Sequence, residues 1–164
     1  MPLVALRCSF WQPHIALRAT AFCCADSRVG IRRPTMKIDT VATWHKIVAN
    51  RDVEGLGLLL ADNVVFHSPV VHSPQVGKAL TQSYLTAAFA VFFNASFHYV
   101  REIVGEHDAV LEFLVQIDGV SVNGVDMIKW DDAGKIVDFK VMLRPLKAIS
   151  LVHLKMAAML QQMQ

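Results

Sequence analysis

From Met36 to Gln164 the chain contains no cysteine; Cys8, Cys23 and Cys24 all fall in the first 35 residues. A cysteine-free body excludes a disulfide framework and thiol chemistry there, and suits a reducing, cytoplasmic compartment. Long apolar runs are also missing. Asn94, His98, Glu112 and Lys140 interrupt the greasiest stretches, and none approaches the roughly 20 residues of a membrane span. No glycine-rich phosphate loop or dinucleotide fingerprint is present, so no cofactor is implied. No short-spaced His/Cys ligand motif appears either, so no metal is expected. The body holds 11 basic and 13 acidic residues, a net of −2, and therefore lacks the footprint of a nucleic-acid binder. Internal repeats and low-complexity tracts are absent.

What is present is apolar: 54% of residues are hydrophobic and the mean hydropathy is +0.38. For one domain of this length, that points to a large core together with a cavity or a subunit interface. The basic character lies in residues 1–35, where five arginines (Arg7, Arg18, Arg28, Arg32 and Arg33) meet a single acid, Asp26. This leader reads either as a targeting peptide or as upstream sequence, with the protein proper opening at Met36. Scarce serine and the lack of an amphipathic face favour the second reading. The expected domain is residues 36–164, with the leader outside the fold.

Along that domain, Ile38, Val41, Trp44 and Val48 recur at helical spacing, predicting a first helix to about Asn50-Arg51. Asp52 is placed to cap a short second helix with Leu56, Leu59 and Leu60 inward. Asp62-Asn63 predicts a turn into a short strand, Val64-Val65-Phe66. Pro69 and Pro74 mark a loop through His67, Ser68 and His72. A third helix is expected from Lys78 to about Phe93. Strands follow at 97–104 and 109–117, then a turn at Asp118-Gly119. A hairpin spanning 122–143 turns at Asp131-Asp132-Ala133-Gly134. Pro145 opens a last helix with an apolar stripe of Leu146, Ile149, Val152, Met156, Leu160 and Met163. The sum is an α+β domain: a curved antiparallel sheet packed on three N-terminal helices, plus a C-terminal helix. Both faces of 109–117 are substantially apolar, which predicts a homodimer through the outer sheet face.

Alternation across the hairpin sets Val122, Gly124, Asp126, Ile128 and Trp130 on one face. Asp126 is the odd member. An ionised carboxylate on an apolar face needs a partner, a proton or a cavity wall.

The stretch Val125-Asp126-Met127-Ile128-Lys129-Trp130-Asp131-Asp132-Ala133-Gly134-Lys135-Ile136 resembles the strand-turn-strand of ketosteroid isomerases. With Arg51-Asp52-Val53-Glu54 through Phe66-His67-Ser68-Pro69, it places the body alongside the SnoaL-like proteins of the nuclear transport factor 2-like superfamily. The resemblance covers about Asp39 to Leu143. It implies a cone-shaped fold enclosing a pocket for a small apolar ligand, lined by Trp44, Leu111, Phe113, Val115, Gly124, Asp126, Ile128, Phe139 and Val141. Asp126 falls on the isomerase's acidic oxyanion-hole residue. Ser68 falls on its catalytic aspartate, with His67 just before it, and Trp44 on its oxyanion-hole tyrosine. A serine is no general base at neutral pH and an indole has no titratable proton, so the standard isomerase mechanism is not expected.

Two readings therefore stand for Asp126. It is a general acid/base in an isomerase, polyketide cyclase-like or hydrolase-like enzyme, assisted by His67 or Ser68. Otherwise it is a structural carboxylate bonded to Trp44 N–H or a backbone amide, in a binding or dimerisation module. His67 could be a base, but strand alternation and loop placement favour a surface loop histidine. Tyr84 and Tyr99 can lend phenols to the cavity, or simply pack.

Overall fold

A computed structural model describes residues 39–162. The leader with its cysteines, the candidate start Met36, Ile38 and Met163 lie outside the described residues. Helix α1 (Thr40–Asn50) starts at Asp39, whose carboxylate accepts the Ala42 N–H at 2.9 Å, and ends at Arg51 in the left-handed region. As expected, Asp52 caps α2 (Val53–Leu59), accepting from the Gly55 N–H at 2.9 Å. Val41, Trp44, Ile47 and Val48 form the buried stripe of α1.

Strand β1 (Leu60–His67) is longer than predicted. Asp62 and Asn63, which resemble turn residues, instead bulge out of a continuous strand, where the register slips between Leu60 and Val65. A two-residue strand β2 (Gln75–Val76), not foreseen, folds back on β1 and leads to α3 (Lys78–Phe92). Then come β3 (His98–Val104), β4 (Asp108–Ile117), β5 (Val120–Trp130), β6 (Ile136–Arg144) and α4 (Leu146–Gln162).

The strands form one curved, unclosed six-stranded sheet in the order β2-β1-β6-β5-β4-β3. The expected antiparallel pairing holds from β3 through β6, and the unforeseen β2 is also antiparallel to β1. The exception is β1–β6, which is parallel, so the sheet is mixed. The β4–β5 hairpin turns at Asp118 (φ 48°) and Gly119 (φ 74°); two consecutive positive φ values match the right-handed twist of the flanking strands. At the β5–β6 turn the Asp131 carboxylate accepts the N–H groups of Ala133 and Lys135 at 3.0 and 2.8 Å.

The predicted alternation is observed on the central strands. Ala109, Leu111, Phe113, Val115 and Ile117 of β4 are buried, as are Val122, Asp126, Ile128 and Trp130 of β5. On β6 a bulge intervenes. Lys129 pairs with Asp138 but Trp130 with Ile136, leaving Val137 as the extra residue. Ile136 is thereby fully buried on the side of Phe139, where strict alternation would have set Val137. On α4 the buried residues are Ala148, Val152 and Met156, while Leu146 is 77% exposed, so the inward stripe is rotated from the expected one.

Candidate functional site

Helices α1, α3 and α4 cover the inner face of the sheet and leave a narrow cavity at its middle. Its floor is Phe113, Asp126, Phe139 and Val141 on the sheet. Its roof is Trp44, the α3 aromatics Phe89 and Phe92, and Val152 and Met156 of α4. Ser68, Pro69 and Val70 stand at one margin. The free space is about 50 Å³, within about 570 Å³ between the walls when the open mouth is counted. In this conformation a water or two fits, and a ring-sized molecule enters only if side chains such as Met156 swing aside.

The lining is almost wholly apolar, and the carboxyl in it is Asp126, 6% exposed. The β4–β5 register sets Asp126 opposite Leu111, and β5–β6 sets it opposite Val141. Neither neighbour offers charge or a hydrogen bond. Burial among them raises the carboxyl from its ordinary 3.8 to about 7, while a hydrogen bond from Tyr99 pulls in the opposite direction.

That bond belongs to a short chain. Trp44 Nε1 donates to the Tyr99 hydroxyl at 2.9 Å, and the Tyr99 hydroxyl donates to Asp126 Oδ2 at 3.4 Å. Burial, and after it the charge of Asp126, holds the phenol well above its usual value, although the indole bond acts against this. Near neutral pH Tyr99 therefore keeps its proton and acts as a donor. Trp44 does not reach Asp126 directly; it orients the tyrosine that does. Trp44 is itself wedged between Phe139 and Phe89, with ring centroids 4.9 and 6.5 Å away.

Of the expected pocket residues, Trp44, Phe113, Phe139, Val141 and Asp126 border the cavity, as does the catalytic candidate Ser68. Leu111, Val115 and Ile128 share that inner face but are packed in the core beside the cavity. Gly124 acts from below: a Cβ there would stand 2.1 Å from Cζ of Phe113, so only glycine lets that ring lie against the sheet. Ser68 is at the rim, its Oγ taken by the Val70 N–H at 3.3 Å. His67 is on the opposite side of β1, with Nε2 3.0 Å from Asp138 Oδ2, and does not border the cavity.

Tyr99, for which the sequence leaves open a phenol lent to the cavity or simple packing, is the tyrosine that reaches Asp126, although it is not among the expected site residues. A bulge at Val100 breaks the alternation of β3, so Tyr99 and Glu102 share the inner face. The available signal was a phenol in an apolar strand expected to lie close to the strand of Asp126. Among the described residues, no group of three His, Cys, Asp or Glu side chains is arranged to hold a metal ion.

A curved sheet wrapped on helices, with a lone carboxyl in an apolar cavity, defines the α+β cone of nuclear transport factor 2-like proteins. A family model described as a SnoaL-like domain matches residues 41–139. This chain belongs to the SnoaL-like family. It is similar to the crystal structure of a steroid delta-isomerase from Pseudomonas aeruginosa, at 36% identity over 75% of this chain and 90% of that one, with a TM-score of 0.71. It is also similar to an uncharacterised protein with a cystatin-like fold from Silicibacter pomeroyi DSS-3, at 30% identity over 76% of this chain and 86% of that one, TM-score 0.68. An epoxide hydrolase/cyclase-like enzyme, SalBIII, linked to pyran ring formation in salinomycin, shares the fold at 17% identity, covering 64% of this chain and 88% of its own, TM-score 0.54. Among curated proteins, none matches the chain.

Proposed function

We propose that this SnoaL-like protein binds a small, mostly apolar organic molecule between sheet and helices and moves a proton on it with Asp126. The observation that carries the reading is the carboxyl buried in an apolar cavity with its pKa raised to about 7. Near neutral pH such a group is present in both forms, as a residue that takes a proton and returns it must be. Tyr99 steadies the ionised form, and Trp44 fixes the tyrosine.

The likeness to a steroid delta-isomerase supports a polycyclic or terpenoid-like ketone as ligand, and isomerisation or cyclisation as the reaction class. The chemistry differs from the two-carboxylate arrangement that the resemblance implies, because Ser68 stands where the second carboxylate would be. One group then does both jobs. Ionised, Asp126 removes a proton beside a carbonyl; carrying that proton, it delivers it elsewhere on the same molecule and is ionised again. His67, across the strand, is given no step.

The test is conversion of a β,γ-unsaturated cyclic ketone to its conjugated isomer, followed by ultraviolet absorbance. Wild type should turn over with an apparent pKa near 7, and Asp126→Asn should lose at least about a hundredfold in rate. Equal rates for both proteins would remove Asp126 from the chemistry.

A second reading is favoured by the small cavity: about 50 Å³ of free space is far below the several hundred typical of ligand sites. In this reading the protein is a dimerisation or binding module whose pocket is filled by its own side chains. Both readings include a homodimer through the outer sheet face, where Ile103 is 61% and Met127 40% exposed beside the half-buried Val110 and Leu114.

A further inference from the structure

The lining of the apolar cavity carries no cation and its acid is Asp126, so an anionic group on a ligand would lose its water there with no opposite charge in exchange. Such a group has a place just outside. The β1–β6 ladder ends at the pair His67–Lys140, while β6 runs on to Arg144. At that point Ser68, Pro69 and Val70 leave the sheet, opening a seam beside Val141. One side of this segment borders the apolar cavity. The other borders a surface hollow of about 450 Å³, lined also by His67, His72, Lys140 and Met142. Ser68, Pro69, Val70 and Val141 are common to both, so the two spaces meet across a single layer of side chains.

The hollow differs in charge from the cavity. His67 is engaged by Asp138 at 3.0 Å. Lys140 is partly buried between Met127 and His67 in the sheet register, and among the described residues no carboxylate lies within ion-pair distance of it. His72 adds a second nitrogen base on the facing loop. A partly buried cation without an acid, at the rim of an apolar cavity, is suited to a carboxylate.

We infer that the ligand is amphipathic: an organic carboxylic acid whose apolar body enters beside Asp126 and whose carboxylate rests on Lys140 and His72. This rests on the ligand-binding reading above and narrows its substrate class. It also accounts for direction of entry. The acid end stays at the seam, so the atoms that reach Asp126 are those farther along the apolar body.

The test is calorimetric titration of the full-length protein at pH 6.5 and low salt with decanoate and with 1-decanol, which share an apolar body. Decanoate should bind about tenfold more tightly than decanol. Lys140→Gln should remove most of that advantage and His72→Gln a smaller part, Lys140→Arg should retain it, and decanol affinity should be unchanged in all three. If wild type binds the two probes equally, or Lys140→Gln weakens both alike, the head-group site is wrong while the cavity reading survives. If neither probe binds wild type, the cavity reading falls and takes this inference with it.

Discussion

The two faces of the sheet treat aspartate in opposite ways. On the inner face Asp126 is 6% exposed, has only Tyr99 as a hydrogen-bond donor among the described residues, and is raised to about 7 by burial. On the next strand Asp138 keeps 38% of its side chain in water and meets His67 at 3.0 Å. Both residues sit on central strands of a regular ladder. The difference is made by what covers them: aromatic helices on one side, solvent and short polar contacts on the other. A carboxylate becomes chemically unusual in this fold through the loss of water more than through the gain of a partner.

That contrast has its largest consequence in the pH dependence of stability. Between pH 3.8 and about 7 the folded protein holds a proton on Asp126 that the unfolded chain has already released. Stability therefore falls as pH rises through this window and levels off above it. The difference between 3.8 and about 7 corresponds to about 4 kcal/mol across the window. Asp126→Asn carries no such proton, so wild type should lose up to about 4 kcal/mol relative to the variant between about pH 4 and pH 8, by urea unfolding. Tyr99→Phe should extend the window upward, because it removes the bond that favours the ionised form. Parallel pH profiles for wild type and Asp126→Asn would mean that water reaches Asp126 and that the inner face is not dry.

The next effect concerns how the inner face is kept open. Gly124→Ala puts a methyl group 2.1 Å from the Phe113 ring, which is itself held by Phe97 and Phe92 at centroid distances of 5.3 and 5.9 Å. The ring must rise into the cavity, at a cost of about 3 kcal/mol. Adding Phe113→Leu should recover a good part of that loss, because the shorter side chain clears the methyl. No recovery in a double-mutant cycle would locate the strain elsewhere in the strand.

How much of this was readable in the chain depended on whether local pattern or backbone irregularity decided the outcome. Strict alternation holds along β4 and β5, so the inward position of Asp126 followed from residue spacing alone. The caps at Asp52 and the turn at Asp118-Gly119 are likewise decided by short-range chemistry. Three bulges, at Asp62-Asn63, Val100 and Val137, are not encoded in any two-residue period. They lengthened β1, turned Tyr99 inward and exchanged Val137 for Ile136 in the core. The role of Tyr99, left open between lending a phenol and packing, was thus decided by the bulge and not by spacing, although among the described residues it is the side chain that donates to Asp126. The parallel β1–β6 pair is a matter of long-range topology, and β2 is too short to leave a pattern.

The smallest predicted effect concerns the outer face. His67 and Asp138 form a contact of good length, yet their side chains are 27% and 38% exposed, so water competes for both. Removing either partner should cost less than about 1 kcal/mol. His67→Gln and Asp138→Asn should each lie within that limit of wild type in urea unfolding, and neither should move the pH midpoint assigned to Asp126, because the pair lies across the sheet from the cavity. This sharpens the comparison from its weaker side. If His67→Gln shifted that midpoint, the two faces would be electrically coupled through the Ser68–Val70 seam. The histidine would then regain a claim on the chemistry that its position across the strand denies it.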